Sequence, residues 1–158
     1  LLFILALVLL VQGWKRLVAT VTAFTVAHSI TLAAATLGFV TVPGRPVEAC
    51  IALSVAFVAS EIVRARHGNP GMAQRWPWLV AFAFGLLHGF GFAGALSEVG
   101  LPQTAIPLAL AFFNIGVELG QLAFIAVVLA VIALGGKIAH RIRVPRPAWA
   151  WRAAACWD

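Results

Sequence analysis

The fold class is decided by residues 105–135, AIPLALAFFNIGVELGQLAFIAVVLAVIALG, in which Glu118 is the only charged side chain. At a rise of ~1.5 Å per residue, a continuous helix over this segment would be about 46 Å long, whereas the hydrocarbon core of a bilayer is ~30 Å thick. The segment therefore predicts a transmembrane helix that tilts, extends into water or breaks.

The composition of the whole chain agrees with a membrane protein. Of its 158 residues, 63% are hydrophobic and 10% are charged, and the mean hydropathy is +1.02. Soluble domains average ~45–50% apolar and ~25% charged residues. The composition excludes a soluble α/β enzyme, a disordered regulator and a disulfide-stapled secreted domain. Cys50 and Cys156 are too few for a disulfide framework and form no C-x-x-C pair.

Further apolar segments precede this one, separated by turns rich in Gly, Pro and basic residues. One partial and four full membrane-spanning segments lie at about 1–12, 17–40, 47–64, 77–97 and 105–135. Because a backbone in lipid must satisfy its own hydrogen bonds, these segments predict an all-α fold, a polytopic transmembrane helical bundle over residues 1–135. Residues 136–158 are predicted to be a basic, poorly ordered cytoplasmic tail.

The basic residues indicate how the bundle is oriented. If the segments alternate across the membrane, ten of the 11 Lys and Arg residues fall on one side and only Arg45 on the other. The ten are Lys15, Arg16, Arg64, Arg66, Arg75, Lys137, Arg141, Arg143, Arg146 and Arg152. This side, which includes the C-terminus, is predicted to be cytoplasmic. Membrane orientation accounts for the net charge of +6, and no basic surface with interleaved aromatic residues indicates nucleic-acid binding.

Three titratable side chains lie near the middle of separate apolar segments: His28, His88 and Glu118. Each is roughly 16–20 Å from an end of its segment, close to the bilayer midplane. Ionisable groups at this depth are costly and tend to mark ion or substrate pathways. Two imidazoles and a carboxylate are donors suited to Ni²⁺, Co²⁺ or Zn²⁺, so we predict that these three side chains bind a divalent metal ion.

Other polar side chains accompany these three. Asn114 and Gln121 share an i, i+4, i+7 stripe with Glu118, and we expect them to add oxygen ligands or to orient the ligands. Further candidates along a pathway are Thr25 and Ser29 beside His28, and Glu48 and Glu61 near opposite ends of the 47–64 segment.

Small residues predict where helices approach each other closely. Gly85 and Gly89 flank His88 with small-xxx-small spacing, and Gly116 and Gly120 lie on nearly the opposite face from the Glu118 stripe. Such pairs allow two transmembrane helices to come into backbone contact.

Two other interpretations of the central polar residues stay open at this stage. The side chains could bond one another as interhelical contacts, worth ~0.6 kcal/mol each, or could relay protons without a metal. Residues 89–94, GFGFAG, satisfy the dinucleotide pattern G-x-G-x-x-G. They lie inside an apolar segment with no preceding strand, so we expect no nucleotide binding.

Four motifs in order resemble the HupE/UreJ family of bacterial membrane proteins, over about residues 1–135. They are TAFTVAHSITL at residues 22–32, VEA at 47–49 with ALS at 52–54, GLLHGFGFA at 85–93, and FNIGVELGQ at 113–121. The resemblance implies a bacterial inner-membrane protein associated with hydrogenase and urease systems, and hence with nickel or cobalt transport. Relatives carry a Gly-x-Asp-His motif before the stretch that residues 1–4 resemble, and a further apolar helix at the end. We therefore expect a member truncated at both ends.

The sequence thus predicts an inner-membrane transporter, or a hydrogenase/urease metal-accessory protein, that binds a divalent transition metal at mid-depth. Two alternatives stay open: a membrane-embedded hydrolase in which the metal activates a water, and a metal-free helical scaffold. Whether the protein is an enzyme is left undecided.

Overall fold

The structure is a computed structural model that describes the backbone of residues 1–98 and 103–141 and the side chains of residues 1–92 and 104–137. It is built of helices, and the described residues contain no strand, which confirms the all-α prediction. The helices are α1 (Leu2–Leu10), α2 (Trp14–Thr36), α3 (Gly44–Arg66), α4 (Met72–Arg75), α5 (Pro77–Glu98) and α6 (Ile106–Arg141), and a 3-10 turn at Gln103–Ala105 precedes α6.

The helices follow the predicted segments, with differences at their ends. Three helices are long and apolar enough to span a membrane, namely α2, α3 and α6 over Ile106–Lys137. The apolar part of α5 that is described, Pro77–Phe92, is shorter. The helix α6 is continuous and ends at Arg141, so the first part of the predicted tail is helical. The rest of that tail, residues 142–158, lies outside the described residues, and the short α4 was not predicted.

Glycines in the left-handed region end both α2 and α3. Gly38 has φ of 80° and Gly68 has φ of 81°, values that only glycine adopts without strain. After α2, the N–H of Phe39 donates to the carbonyl of Ala34 at 2.9 Å, and the N–H of Gly38 donates to that of Ala35 at 3.1 Å. This pair of bonds is the Schellman motif, which satisfies the last carbonyls of a helix. The same pattern follows α3.

The short helix α1 forms the centre of the main hydrophobic core. Its sequence, LFILALVLL, is apolar on every face, and six of its nine residues are buried. Leu7 is completely buried and packs in one cluster with Leu17 and Val21 of α2, Val58 of α3 and Ile125 of α6. A helix that is apolar all round is stable only when it is surrounded, and here α1 contacts α2, α3 and α6.

The most extensive helix contact is between α2 and α5, which run in the same direction. A Cβ atom added to Gly85 would lie 2.5 Å from the carbonyl oxygen of Phe24 and 3.0 Å from the Cβ of Ala27. One turn later, Gly89 packs directly against the backbone of His28 and the side chain of Thr31. The two backbones therefore touch along this line, which leaves no room for a side chain.

The close approach of another helix that the sequence predicts at the glycines of α6 is not observed. Gly116 and Gly120 are exposed, and a Cβ atom added to either would meet nothing within 4 Å. Both glycines line a cavity between α6 and the helices α1, α2 and α5, so no other described helix packs directly on them.

Replacing Gly89 by Ala should weaken the α2–α5 contact. The added methyl group has to displace the backbone of α2, so we expect a loss of about 1–3 kcal/mol in the free energy of unfolding. Gly116→Ala is the matched control, because its methyl group enters open space and we expect no loss. Unfolding of the purified protein in detergent measures both, and equal stability of the two variants would contradict the contact.

The predicted orientation can be tested with single cysteines in two exposed loops, Val42→Cys after α2 and Asn69→Cys after α3. In a background with Cys50 and Cys156 replaced by Ser, a membrane-impermeant maleimide should label Val42→Cys in intact spheroplasts. It should label Asn69→Cys only after permeabilisation, because the α3–α4 connection is predicted to be cytoplasmic. The reverse labelling pattern would show that the protein has the opposite orientation in the membrane.

Candidate metal-binding cavity

A cavity of about 530 Å³ lies between α1, α2, α5 and α6. Its polar lining comes from three side chains on three helices: His28 on α2, His88 on α5 and Gln121 on α6. The rest of the lining is apolar, with Phe3, Phe24, Phe92 and Phe124 among it. A mainly apolar cavity with a few convergent polar groups is typical of a small-ligand site.

His28 is almost fully buried, with 2% of its surface exposed, and neither ring nitrogen has a hydrogen-bond partner in the described structure. Aromatic rings surround it: Phe24 stacks on the imidazole at 6.1 Å between centroids, and Phe92 meets it edge-on at 5.5 Å. Buried polar atoms without a partner are rare in folded proteins, because each costs the full desolvation penalty. An occupant of the cavity that accepts or supplies a bond to His28 would remove that penalty.

His88 is held in one orientation by its own helix. Its Nδ1 lies 2.7 Å from the carbonyl oxygen of Phe84. Because a carbonyl only accepts, Nδ1 carries a proton, and in the neutral ring Nε2 then has the lone pair that can bind a ligand. Histidines that bind metals commonly donate their other ring N–H to a carbonyl or carboxylate in this way. The ring also packs against Phe24 at 5.1 Å, so both imidazoles contact the same phenyl ring.

Gln121 is buried at the α2–α6 contact and faces the same cavity. The hydroxyl of Thr25 donates to Gln121 Oε1 at 3.1 Å and so fixes the amide. Ser29 donates to the carbonyl of Thr25 at 2.7 Å and is thus engaged with its own helix. Thr25 therefore holds a residue that lines the cavity, and Ser29 bonds to the backbone of Thr25, but neither side chain lines the cavity itself.

Glu118 does not join the two histidines. Its Oε1 accepts a hydrogen bond from the hydroxyl of Thr22 at 2.8 Å, and Glu118 is absent from the cavity lining. Among the described residues, no three His, Cys, Asp or Glu side chains lie close enough together to hold a metal ion. The predicted cluster of two imidazoles and one acid is thus not assembled, because Thr22 holds the acid against α2. The roles of these three residues as metal ligands stay predictions.

The sequence did not predict the role of Thr22, because a threonine in an apolar helix gives no sign of which neighbouring helix it bonds. Thr22 and Thr25 are three residues apart on α2, and their acceptors Glu118 and Gln121 are three residues apart on α6. The phenyl rings around His28 were missed because aromatic residues in an apolar segment give no distinct signal.

Of the two acids predicted to lie along a pathway, Glu61 has a structural role. It is 2% exposed, its Oε2 accepts the N–H of Ala73 at 3.0 Å, and Arg64 lies 3.7 Å from its Oε1. Gly71 packs directly on the carboxylate. Glu61 thus holds the α3–α4 connection in place. Glu48, near the start of α3, is exposed.

Comparison with known proteins identifies a family. The family model described as HupE / UreJ protein matches residues 1–157, which extends the resemblance beyond the four motifs to nearly the whole chain. No curated protein and no solved structure matches the chain.

Replacing Glu61 by Ala should destabilise the protein, because the buried N–H of Ala73 loses its acceptor. The expected loss is about 1–3 kcal/mol in the free energy of unfolding. Glu48→Ala is the control, and for this exposed position we expect a change within about 0.5 kcal/mol. Chemical unfolding in detergent compares the two, and a stable Glu61→Ala variant would show that the α3–α4 connection does not depend on the carboxylate.

Proposed function

Because the chain belongs to the HupE/UreJ family of membrane proteins, we propose that it carries a divalent transition-metal ion, Ni²⁺ or Co²⁺, across the bacterial inner membrane. The family is linked in general to nickel and cobalt handling. The finer proposal is that the ion is held, at mid-depth, in the cavity lined by His28 and His88.

One observation carries this proposal: the buried His28 has no partner for either ring nitrogen and faces the same cavity as His88, whose free ring nitrogen is Nε2. Imidazole nitrogen is a preferred ligand of Ni²⁺, Co²⁺ and Zn²⁺. A cation bound between the two rings would supply the interaction that His28 lacks.

The lining of the cavity suits an ion that binds and leaves again. Two neutral imidazoles and the amide of Gln121 give few ligands and no charge, so the ion would keep some of its water. The volume of about 530 Å³ accommodates such waters, since each takes ~30 Å³ in the liquid. Conduction requires that the ion binds strongly enough to enter the site and weakly enough to leave it.

The surroundings of the cavity favour transport over metal-dependent hydrolysis. A hydrolytic site needs a base beside the metal-bound water, and Glu118, the acid nearest to Gln121 along α6, is bound to Thr22. We propose that the ion enters from the outer side past the exposed Glu48 and leaves as the helices rock against each other. Glu61 is left out of this path because it stabilises the α3–α4 connection.

Metal uptake by cells or vesicles that contain the protein tests the proposal. His28→Ala and His88→Ala are each expected to lower uptake of radioactive nickel or cobalt at least tenfold, because each removes one of two nitrogen ligands. His67→Ala is the matched control, since His67 is exposed after the end of α3 and is expected to leave uptake unchanged.

Stability and expression of the three variants must be compared in the same membranes, so that a loss of uptake reports on the cavity. Wild-type uptake in both His28→Ala and His88→Ala would contradict the proposal. Uptake that is lost equally in His67→Ala would also contradict it, because the cavity would then have no special role.

A further inference from the structure

A shallow groove of about 640 Å³ runs along the outer surface of the bundle, between α2 and α5, and is called the α2–α5 groove below. It is separate from the histidine cavity, because no residue lines both. One wall is an exposed face of α2, and Phe82 of α5 forms the other. The lining on α2 extends from Trp14 to Val26 and is apolar apart from Lys15 and Thr22.

The α2–α5 groove has about the length of one leaflet of a bilayer. Its lining residues on α2 recur at intervals of three and four positions from Trp14 to Val26, which keeps them on one face of the helix. This part of the helix rises about 18 Å, and half of a hydrocarbon core is ~15 Å thick. Because α2 begins at Trp14, the groove starts at an edge of the membrane span and ends near its middle. An acyl chain of one leaflet therefore fits along it.

The end of the groove at the membrane surface is basic. Lys15 lines this end, and its ammonium nitrogen lies 5.8 Å from the centre of the Trp14 ring. Arg16 follows directly in the sequence. Among the described side chains, no carboxylate lies within 4 Å of the Lys15 ammonium group. The positive charge at this end is thus complementary to an anionic group at the same depth.

Two tryptophans lie close to this basic end. Trp14 on α2 and Trp78 on α5 are both exposed, and both are in the first turn of helices that run in the same direction. Trp78 precedes Phe82 by four residues and so lies on the same face of α5. Tryptophan is enriched in membrane proteins at the level of the lipid head groups. The basic end of the groove therefore lies at the depth of the head-group phosphates.

We propose that the α2–α5 groove binds one anionic phospholipid, with its phosphate at Lys15 and an acyl chain along α2 as far as Val26. The lipid belongs to the leaflet in which α2 begins, which is predicted to be the cytoplasmic one. Anionic lipids of that leaflet attract Lys and Arg residues next to transmembrane helices, and basic pockets between such helices bind their head groups. This proposal does not depend on metal binding in the histidine cavity.

Charge favours a lipid over a second copy of this chain as the occupant. Ala19 and Ala23 line the groove, and small residues four positions apart also allow another helix to approach. In a dimer with its two-fold axis along the membrane normal, however, both copies would place Lys15 and Arg16 at one level of the same interface. These like charges would repel each other, whereas a phosphate attracts them.

A lipid in the groove would contact the residue that joins α2 to α6. Thr22 lines the groove, and its hydroxyl donates to Glu118 Oε1 at 2.8 Å. An acyl chain over this exposed threonine keeps water away from the hydrogen bond, which is stronger in a medium of low dielectric constant. We therefore expect the bound lipid to stabilise the folded protein, since it binds a surface that only the folded state has.

Native mass spectrometry of the full chain, with lipid added to the detergent solution, tests the proposal. The two probes are phosphatidylglycerol and phosphatidylcholine with the same acyl chains, so that only the head group differs. We expect the wild type to bind one phosphatidylglycerol about fivefold more tightly than phosphatidylcholine, which is the effect of one basic group at an anionic surface. Lys15→Ala should lose this preference. Lys137→Ala is the matched control and should keep it, because Lys137 is exposed on α6 outside the groove.

Filling the groove tests the site of the acyl chain separately. Ala19→Leu puts a larger side chain into the groove without a change of charge, so we expect it to weaken the binding of both lipids. Ala52→Leu is its control, because Ala52 is exposed on α3 and does not line the groove. Phosphatidylglycerol should raise the unfolding temperature of the wild type and of Ala52→Leu, and should leave that of Ala19→Leu unchanged.

Three results would overturn the proposal. The first is equal binding of the two lipids by the wild type, and the second is a preference for phosphatidylglycerol that Lys15→Ala retains. The third is a dimer that forms in the wild type and is lost in Ala19→Leu, while phosphatidylglycerol leaves the unfolding temperature of the wild type unchanged. In that case a second copy of the chain covers the groove.

Discussion

The contact between the backbones of α2 and α5 is the constraint on which the rest of the structure depends. Gly85 and Gly89 let α5 lie directly on the carbonyl groups of Phe24 and His28. In lipid, where apolar side chains gain little by leaving the solvent, such close packing is a main source of helix association. The same contact sets the distance between the two imidazoles, because His28 and His88 are each adjacent to a residue in it. The geometry of the cavity therefore depends on the absence of side chains at Gly85 and Gly89.

The features that could be predicted from the sequence are those that depend on one helix at a time. Length and apolarity placed α2, α3, α5 and α6 within a few residues, because the bilayer requires long continuous helices. The same count predicts that His28 and His88 lie near the middle of the bilayer. What could not be predicted was rotation about the helix axes. The sequence shows that Asn114, Glu118 and Gln121 form one stripe on α6. Whether this stripe faces the histidines or the threonines depends on how α6 is rotated about its axis relative to α2.

The outcome at Glu118 illustrates this limit. An acid and two imidazoles at one depth are a reasonable metal site on chemical grounds, yet a threonine hydroxyl one helix away was enough to keep the acid out of the cavity. Interhelical bonds of this kind have only modest free energies, ~0.6 kcal/mol on average. They nevertheless select among rotations whose apolar packing is similar. Thr22 and Thr25 together fix two successive turns of α6, and so determine which of its polar residues face His28.

The length of α6 has a mechanical consequence. From Ile106 to Arg141 the helix is continuous and about 54 Å long, which is longer than any bilayer of ~30 Å can cover at ordinary tilt. Its firm polar attachments to α2, at Glu118 and Gln121, are in its first half. The main core also holds α6 as far as Leu129, and about 18 Å of helix extends beyond that residue. A pivot of only ~10° there would move the Arg141 end sideways by roughly 3 Å. Small angular changes of α6 within the core are thereby amplified at its Arg141 end.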